Sequence, residues 1–147
     1  MSDVPTSGRQ DIHFHASSPI LRVESLDRSL DYYTRVLGFS IDWNYEGRIA
    51  SVSRKHANLM LCEGSQGCSG TWVWIGVGDA AALYEEYREK GARIALAPTN
   101  YPWAYEMHVQ DPDGHVIRLG SEPRSDTPFS DWVAWYREDD EQNAHGV

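Results

Sequence analysis

The sequence predicts an α+β protein built from two βαβββ modules, each a curved four-stranded sheet with one helix behind it. Three observations lead there. The chain repeats itself at an offset of about 53 to 54 residues, pairing Leu30 with Leu83, Arg35 with Arg88, Gly38 with Gly91 and Ile41 with Ile94. Each half runs in the same order: strand, amphipathic helix, then three strands. Each helical stripe stops at a glycine, the residue best suited to a left-handed C-terminal position.

Residues 1–16 read as a flexible tail, rich in Ser, Thr, Gly, Pro and Gln and without periodicity. Structure begins with Ile20, Leu21, Arg22 and Val23 as a first strand. Leu26, Leu30, Tyr33 and Leu37 then recur at helical spacing, with Ser25 or Asp27 placed to cap the helix and Gly38 to end it. From Phe39 to Tyr45 apolar and polar residues alternate as in a half-exposed strand. Glu46 and Gly47 make a turn, and strands follow from Arg48 to Ser53 and from Asn58 to Cys62. The second module opens on a strand from Thr71 to Val77. Asp79 caps a helix whose face carries Leu83, Tyr84 and Tyr87, and Gly91 ends it. Strands from Ala92 to Ala97, Ala104 to Gln110 and His115 to Gly120 complete it, the last two joined by the turn Asp111-Pro112-Asp113-Gly114. These elements divide the chain into a tail (1–16), one domain (17–122, with modules 18–64 and 70–121) and a C-terminal extension (123–147). In the extension Phe129, Trp132, Trp135 and Tyr136 recur at helical spacing, so a short aromatic helix ahead of an acidic tail is expected there.

Composition narrows the function. At 147 residues the chain buries enough surface to fold without staples. Its net charge is −9, which argues against partners that want a basic footprint, such as nucleic acid or an anionic membrane. The charge is uneven: Glu122, Asp126, Asp131, Glu138, Asp139, Asp140 and Glu141 face only Arg124 and Arg137 in the last 27 residues. No stretch is apolar enough to span a bilayer, and residues 1–10 lack the apolar run of a signal peptide. Cys62 and Cys68 form no disulfide framework; two thiols in a reduced cytoplasmic protein are the simpler reading, a small closed loop the other. Six tryptophans are many for this length, and such side chains line either cores or pockets.

Two motifs are recognisable. The run from Leu21 to Phe39, with Ser25-Leu26-Asp27-Arg28-Ser29-Leu30, Tyr32-Tyr33 and Val36-Leu37-Gly38-Phe39, resembles the opening of the vicinal oxygen chelate superfamily, the glyoxalase, bleomycin-resistance and extradiol-dioxygenase group. So does Asp111-Pro112-Asp113-Gly114-His115-Val116-Ile117-Arg118-Leu119. The resemblance spans roughly residues 18–121. It implies paired modules whose curved mixed sheets enclose a cleft, in a protein that dimerises. It also implies four metal-ligand positions, which fall on Ser18, Met60, Trp72 and Arg118. None is a good ligand for a divalent transition metal, and a permanent cation at one of them repels a metal. The bleomycin-resistance type is similar in lacking those ligands and in carrying an Arg-Leu pair after the turn, as Arg118 and Leu119 do here.

The candidate binding residues follow from that placement. Trp72 and Trp74, two apart on a strand, share a face; either they wall a cleft for a planar ligand or they fill a small interior, with Val73, Ile75 and Val77 turned to the helix. Tyr101 and Trp103 sit in a proline-rich loop at a rim, and Trp43 is a rim or dimer contact. A buried Arg118 needs a partner, and Glu106 with His108, on one face of the neighbouring strand, supply it; the pair either plugs the vacated position or orients a ligand carboxylate, phosphate or amide. Arg22 shares parity with Ser18, and Met60 and Cys62 add soft lining. His13, His15, Glu63, Glu106 and His108 could make an unorthodox metal site. The glycine-rich stretch from Gly64 to Gly70 lacks the Lys of a phosphate-binding loop and reads as the linker between modules. The reading that emerges is a metal-independent, cofactor-free homodimer that sequesters an aromatic or cationic small molecule, the acidic charge steering cations inward. A metal-dependent lyase, isomerase or dioxygenase with non-standard ligands is the alternative, and a cofactor-free acid–base enzyme using His108 and Glu106 a third.

Overall fold

Gly38 and Gly91 close both helical segments, at φ of 78° and 79°. Those are backbone angles that glycine adopts without strain. The computed structural model describes residues 10–132. In chain order the elements are β1 (Ile20–Arg22), α1 (Leu26–Asp31), a π-helical turn (Tyr32–Val36), β2 (Ser40–Tyr45), β3 (Ile49–Arg54), β4 (Ala57–Cys62), β5 (Trp72–Gly76), α2 (Ala80–Lys90), β6 (Arg93–Asn100), β7 (Tyr105–Gln110) and β8 (Val116–Ser121). The two sheets have matching orders, β1-β4-β3-β2 and β5-β8-β7-β6. In each the first strand pairs parallel with the last and the other pairings are antiparallel. The repeat read from the sequence is therefore a repeat of the fold.

The first helix differs from its expected form. It is capped by the Ser25 side chain, which accepts the Arg28 N–H at 3.2 Å. It then widens after Asp31 into the π-helical turn, where the Leu37 N–H reaches back to the Tyr32 carbonyl. The Thr34 hydroxyl donates to the Leu30 carbonyl at 2.7 Å, occupying the acceptor that an α-helix would give to a backbone N–H. The wider turn lets two adjacent tyrosines both reach the second module. Tyr32 Oη donates to the Gln110 carbonyl (2.7 Å) and accepts the Arg93 N–H (3.0 Å). Tyr33 Oη donates to Asp111 Oδ2 (3.0 Å).

The Asp111–Gly114 turn is the other half of this joint. Asp111 Oδ1 accepts the N–H groups of Asp113 and His115, both at 2.9 Å. Asp113 in turn accepts from the Glu24 N–H and the Ser29 hydroxyl of the first module. His115, fully buried, accepts the Thr71 N–H on Nδ1, so its proton sits on Nε2 and is donated to the Arg22 carbonyl at 2.6 Å. Burial and the adjacent Asp111 carboxylate push the Tyr33 hydroxyl's pKa well up, so it stays a donor. Tyr87 on α2 closes the joint from the other side by donating to the Leu37 carbonyl at 2.8 Å. Burial raises its pKa to about 12.

One apolar core lies between the modules. Leu21, Leu26, Leu59 and Leu61 from the first meet Tyr87, Met107, Val109 and Ile117 from the second. Along β5 the strand alternates, with Val73 and Ile75 packed against that core and Trp72 and Trp74 exposed. Each sheet thus spends one face on the shared core and turns its other face away from it. Residues 10–19 have no regular structure and leave Ile12 and Phe14 exposed. Residues 129–132 of the extension form neither helix nor strand, and Trp135, Tyr136 and the acidic run lie outside the described residues. Cys62 is buried, Cys68 exposed, and both are free thiols.

Candidate functional site

The outward face of the second sheet carries an ion pair set among aromatic rings. Strand register sets it: His108 on β7 stands opposite Arg118 on β8, and Arg118 stands beside Trp74 on β5. Glu106, two residues before His108, shares its face. Glu106 is fully buried and receives four hydrogen bonds. Arg118 donates to it twice, Nε to Oε2 and Nη2 to Oε1, both at 2.9 Å. Trp103 Nε1 donates to Oε1 at 2.5 Å, and His108 Nε2 contacts Oε2 at 3.1 Å. Because a carboxylate only accepts, the His108 proton is on Nε2. Burial works against ionising Glu106, but the hydrogen bonds from His108, Arg118 and Trp103 outweigh it and hold the pKa at about 2. The expected pair between Arg118 and Glu106 is present as a two-pronged contact, with His108 beside it and Trp103 as a further donor.

The pH dependence follows from that depression. An acid whose folded pKa lies below its unfolded value of 4.5 adds stability that is complete above 4.5 and lost as the pH falls through about 2. The cluster is therefore expected to stay assembled in mild acid. The indole N–H resonance of Trp103 should hold its position from pH 7 to 4.5 and move only below that.

Aromatic rings surround the ion pair. The Trp74 ring lies 5.0 Å from the Arg118 guanidinium carbon, a cation–π contact. The Trp72 ring meets His108 edge-on at 5.6 Å. Both indoles remain open, Trp72 at 60% and Trp74 at 46% exposure. Tyr101 is buried and stacks flat on Trp103 at 4.9 Å. It is a support for Trp103 and not itself at a rim. Gly120 was not among the candidates, and nothing in its sequence context marks it. A Cβ there would come within 2.8 Å of Trp74 Cζ2 and 3.1 Å of Ala104 Cβ, so the glycine leaves the space that the Trp74 indole occupies beside β8. A Gly120→Ala substitution is expected to push Trp74 off Arg118, seen as a red-shifted and more quenchable tryptophan emission, at a cost of about 1–3 kcal/mol from overpacking.

The remaining candidates fall on the first sheet. Met60 is half-buried on β4 opposite Ser51, and Ile20 stands beside it on β1. Arg22 donates to the Ser65 carbonyl at 2.9 Å, on the linker. Trp43 lies at an irregularity in the β2–β3 pairing and is exposed with Ile41 and Tyr45. Sequence reasoning missed a polar network on this sheet. Asp42 Oδ2 accepts from Ser51 (2.9 Å), Ser53 (2.7 Å) and Asn58 (3.2 Å), and Asn58 is joined to Ser18. Only the β2 irregularity turns Asp42 toward these partners, and no local pattern encodes it.

The four positions Ser18, Met60, Trp72 and Arg118 do not fit a divalent metal. Arg118 is a cation committed to Glu106, Ser18 is bonded to Asn58, Trp72 offers only an N–H, and Met60 is a lone thioether. The unorthodox set is not brought together either. His13 and His15 are exposed, and Glu63 caps α1 by accepting the Leu26 N–H at 2.8 Å. Among the described residues no group of three or more His, Cys, Asp or Glu side chains stands close enough to hold a metal ion, and no helix is long and apolar enough to cross a membrane.

Comparison with known proteins adds to this geometry. Residues 13–119 match the family model of the Glyoxalase/Bleomycin resistance protein/Dioxygenase superfamily. No curated protein matches the chain. Among solved structures, the bleomycin-binding protein of bleomycin-producing Streptomyces verticillus, complexed with copper(II)-bleomycin, superposes with a TM-score of 0.65 at 23% identity, over 75% of this chain and 98% of its own. TioX from Micromonospora sp. ML1 gives 0.64 at 20% identity, over 77% and 100%. TnmS3, an antibiotic binding protein from Streptomyces sp. CB03234, gives 0.61 at 24% identity, over 76% and 100%. At these identities the likeness is one of fold.

Proposed function

Because the chain belongs to the Glyoxalase/Bleomycin resistance protein/Dioxygenase superfamily, we propose that it is a metal-independent binding protein that sequesters an aromatic or cationic small molecule on the outward face of its second sheet. The observation that carries this reading is the pairing of exposed Trp72 and Trp74 with the closed Arg118–Glu106 cluster, at two of the positions where family enzymes keep metal ligands. Glu106 has all its near acceptor sites engaged and a pKa of about 2, so it is a poor general base near neutral pH. The cluster instead fixes a guanidinium under an indole and offers a flat, preorganised wall to a planar ligand. The relatives that bind bleomycin or another antibiotic on this fold support the same use.

The proposal extends to a homodimer. Trp43 and Tyr45 of the first sheet, which share a face with Met60 and Arg22 by strand register, would supply the facing wall from a second copy. The net charge of −9 would draw cationic ligands in.

Titration of tryptophan fluorescence with bleomycin and with planar aromatic cations tests the reading. The expected result is saturable quenching, unchanged by chelator, with the ligand recovered intact. Trp74→Ala should weaken binding at least about tenfold, or 1.4 kcal/mol. One tightly held equivalent of Fe, Mn, Ni or Zn per chain, with binding lost on its removal, would sink the metal-independent reading. Sedimentation at the mass of a single chain would sink the dimer.

A further inference from the structure

A recess lies behind β5 and β8, on the side opposite Trp74 and Arg118. Ile75 and Leu119, neighbours in register across these two strands, turn away from the indole face and line it. The β3–β4 hairpin of the first module and α2 of the second form its walls, so it is a groove between the modules, with a volume of about 480 Å³. Phe39, Val77, Leu83 and Tyr87 add to its apolar lining. Of the apolar residues there, Ile75, Val77 and Leu83 pack on the shared core and are only partly buried. Small residues keep the space open. Ala57, Gly76, Gly78 and Ala82 stand along it, and a Cβ on Gly76 or Gly78 would meet nothing within 4 Å. A concave, mostly apolar space of this volume suits a small molecule.

The charged groups along the groove choose the kind of molecule. Arg54 and Glu86 are spent on each other: Arg54 Nη1 donates to Glu86 Oε2 at 2.7 Å and Nη2 to Oε1 at 3.0 Å, joining the hairpin to α2. The hydrogen bonds from Arg54 hold the Glu86 carboxyl below its usual range, so the pair stays ionised and closed. Asp79 accepts the Ala82 N–H at 3.0 Å as the cap of α2. Lys55 is left. It lines the groove from the hairpin turn and has no hydrogen bond or ion pair with a described residue. Its φ is 55°, a left-handed backbone that a lysine adopts only at a cost.

We propose that this groove is a second ligand site, for a small monocarboxylate with an apolar body. The body lies along Ile75, Val77 and Leu83, and the carboxylate meets the Lys55 amine at the mouth. The proposal is separate from the reading of the outward face, and each stands without the other. A ligand held here touches both modules and therefore stabilises the joint between them.

The test records the methyl NMR signals of the full chain as sodium decanoate is added. Saturable shifts at Ile75, Val77, Leu83 and Leu119 are expected, with nuclear Overhauser contacts from the decanoate chain to Val77 and Leu83. No saturable shift at these methyls overturns the proposal. Decanol or decyltrimethylammonium bound as tightly as decanoate overturns the assigned charge. Lys55→Asn removes the amine but keeps a residue that tolerates left-handed backbone. It should weaken decanoate about tenfold or more and leave decanol unchanged. Equal decanoate affinity in K55N overturns Lys55 as the anchor. Ala82→Trp fills the groove from an exposed position on α2. It should abolish the shifts while the Trp103 indole signal, unmoved, shows an intact fold; binding that survives it overturns the location. Cross-saturation of the Val77 and Leu83 methyls from an unlabelled second copy would give the groove to a subunit interface and overturn the ligand. Trp72 and Trp74 take no part in this readout, so a failure of bleomycin to bind the outward face leaves the result intact.

Discussion

Arg118→Leu is expected to lower the unfolding free energy by about 3 kcal/mol at pH 7, with a fall in melting temperature of about 10 °C. Removing the guanidinium leaves a carboxylate of zero exposure with Trp103 and His108 as its partners among the described residues. Breaking a buried pair costs about 3–5 kcal/mol, and the low end applies because the Arg118 side chain is itself 27% exposed. Part of the loss could instead be packing, since Arg118 lies over Trp74. The double variant E106Q/R118L separates the two. It removes the stranded charge but keeps an oxygen for Trp103 or His108, so it should recover at least half of the lost stability in urea denaturation. Equal stability of the single and double variants would assign the loss to packing. The pH profile gives a second check. In R118L the Glu106 pKa rises from about 2, because the Arg118 hydrogen bonds and charge are lost, so the gap to the parent protein should narrow as the pH falls through the raised value.

Asp111→Ala is expected to cost about 4 kcal/mol, through a different mechanism. Its carboxylate takes one hydroxyl and two backbone N–H groups, from Tyr33, Asp113 and His115, and Tyr33 and His115 are wholly buried. Each donor left without an acceptor costs about 1–3 kcal/mol. The damage falls on the joint between modules, so near-ultraviolet circular dichroism, which reports Tyr33 packed against Phe39, should weaken before the far-ultraviolet signal does. Asp111→Asn retains one carbonyl oxygen for the two backbone donors and should restore most of the loss. A D111N variant as unstable as D111A would mean that charge, and not acceptor count, holds the turn.

These two residues also mark how much was legible in the sequence. Asp111 belongs to a turn signal that any reader of Asp-Pro-Asp-Gly would place, and its role in that turn is local. Its bond to Tyr33 is not local: it depends on a π-helical turn at Thr34, where the spacing of Leu26, Leu30, Tyr33 and Leu37 gives an ordinary helix. The difference between the two forms is one hydroxyl bonded to one carbonyl, too small to disturb the periodicity. Arg118 and Glu106 were legible as a pair because strand alternation puts Glu106, His108 and the resemblance-assigned cleft on one face. Trp103 as a third donor, Tyr101 as its buried support and Gly120 as the gap beneath Trp74 were not, since each depends on how a loop folds back over a strand. The Asp42 network escaped for the same reason, a register irregularity in β2.

The sequence alone was enough for the two-module α+β fold, the matching order of elements in its two halves and the left-handed glycines at Gly38 and Gly91, and, at the positions that the family resemblance assigns, for the unsuitability of Ser18, Met60, Trp72 and Arg118 as metal ligands. Those features rest on period, local backbone preference and side-chain chemistry, all of which act over a few residues. Tertiary structure alone decided that the modules share one core through Tyr33, Tyr87, Asp111 and His115, that Glu106 is saturated with donors, and that Asn100 holds Arg124, Thr127 and Ser130 at the end of β6. Each of those joins residues 24 to 93 positions apart or sets the count of donors around a buried charge, and such matters are fixed by packing, which no local pattern records.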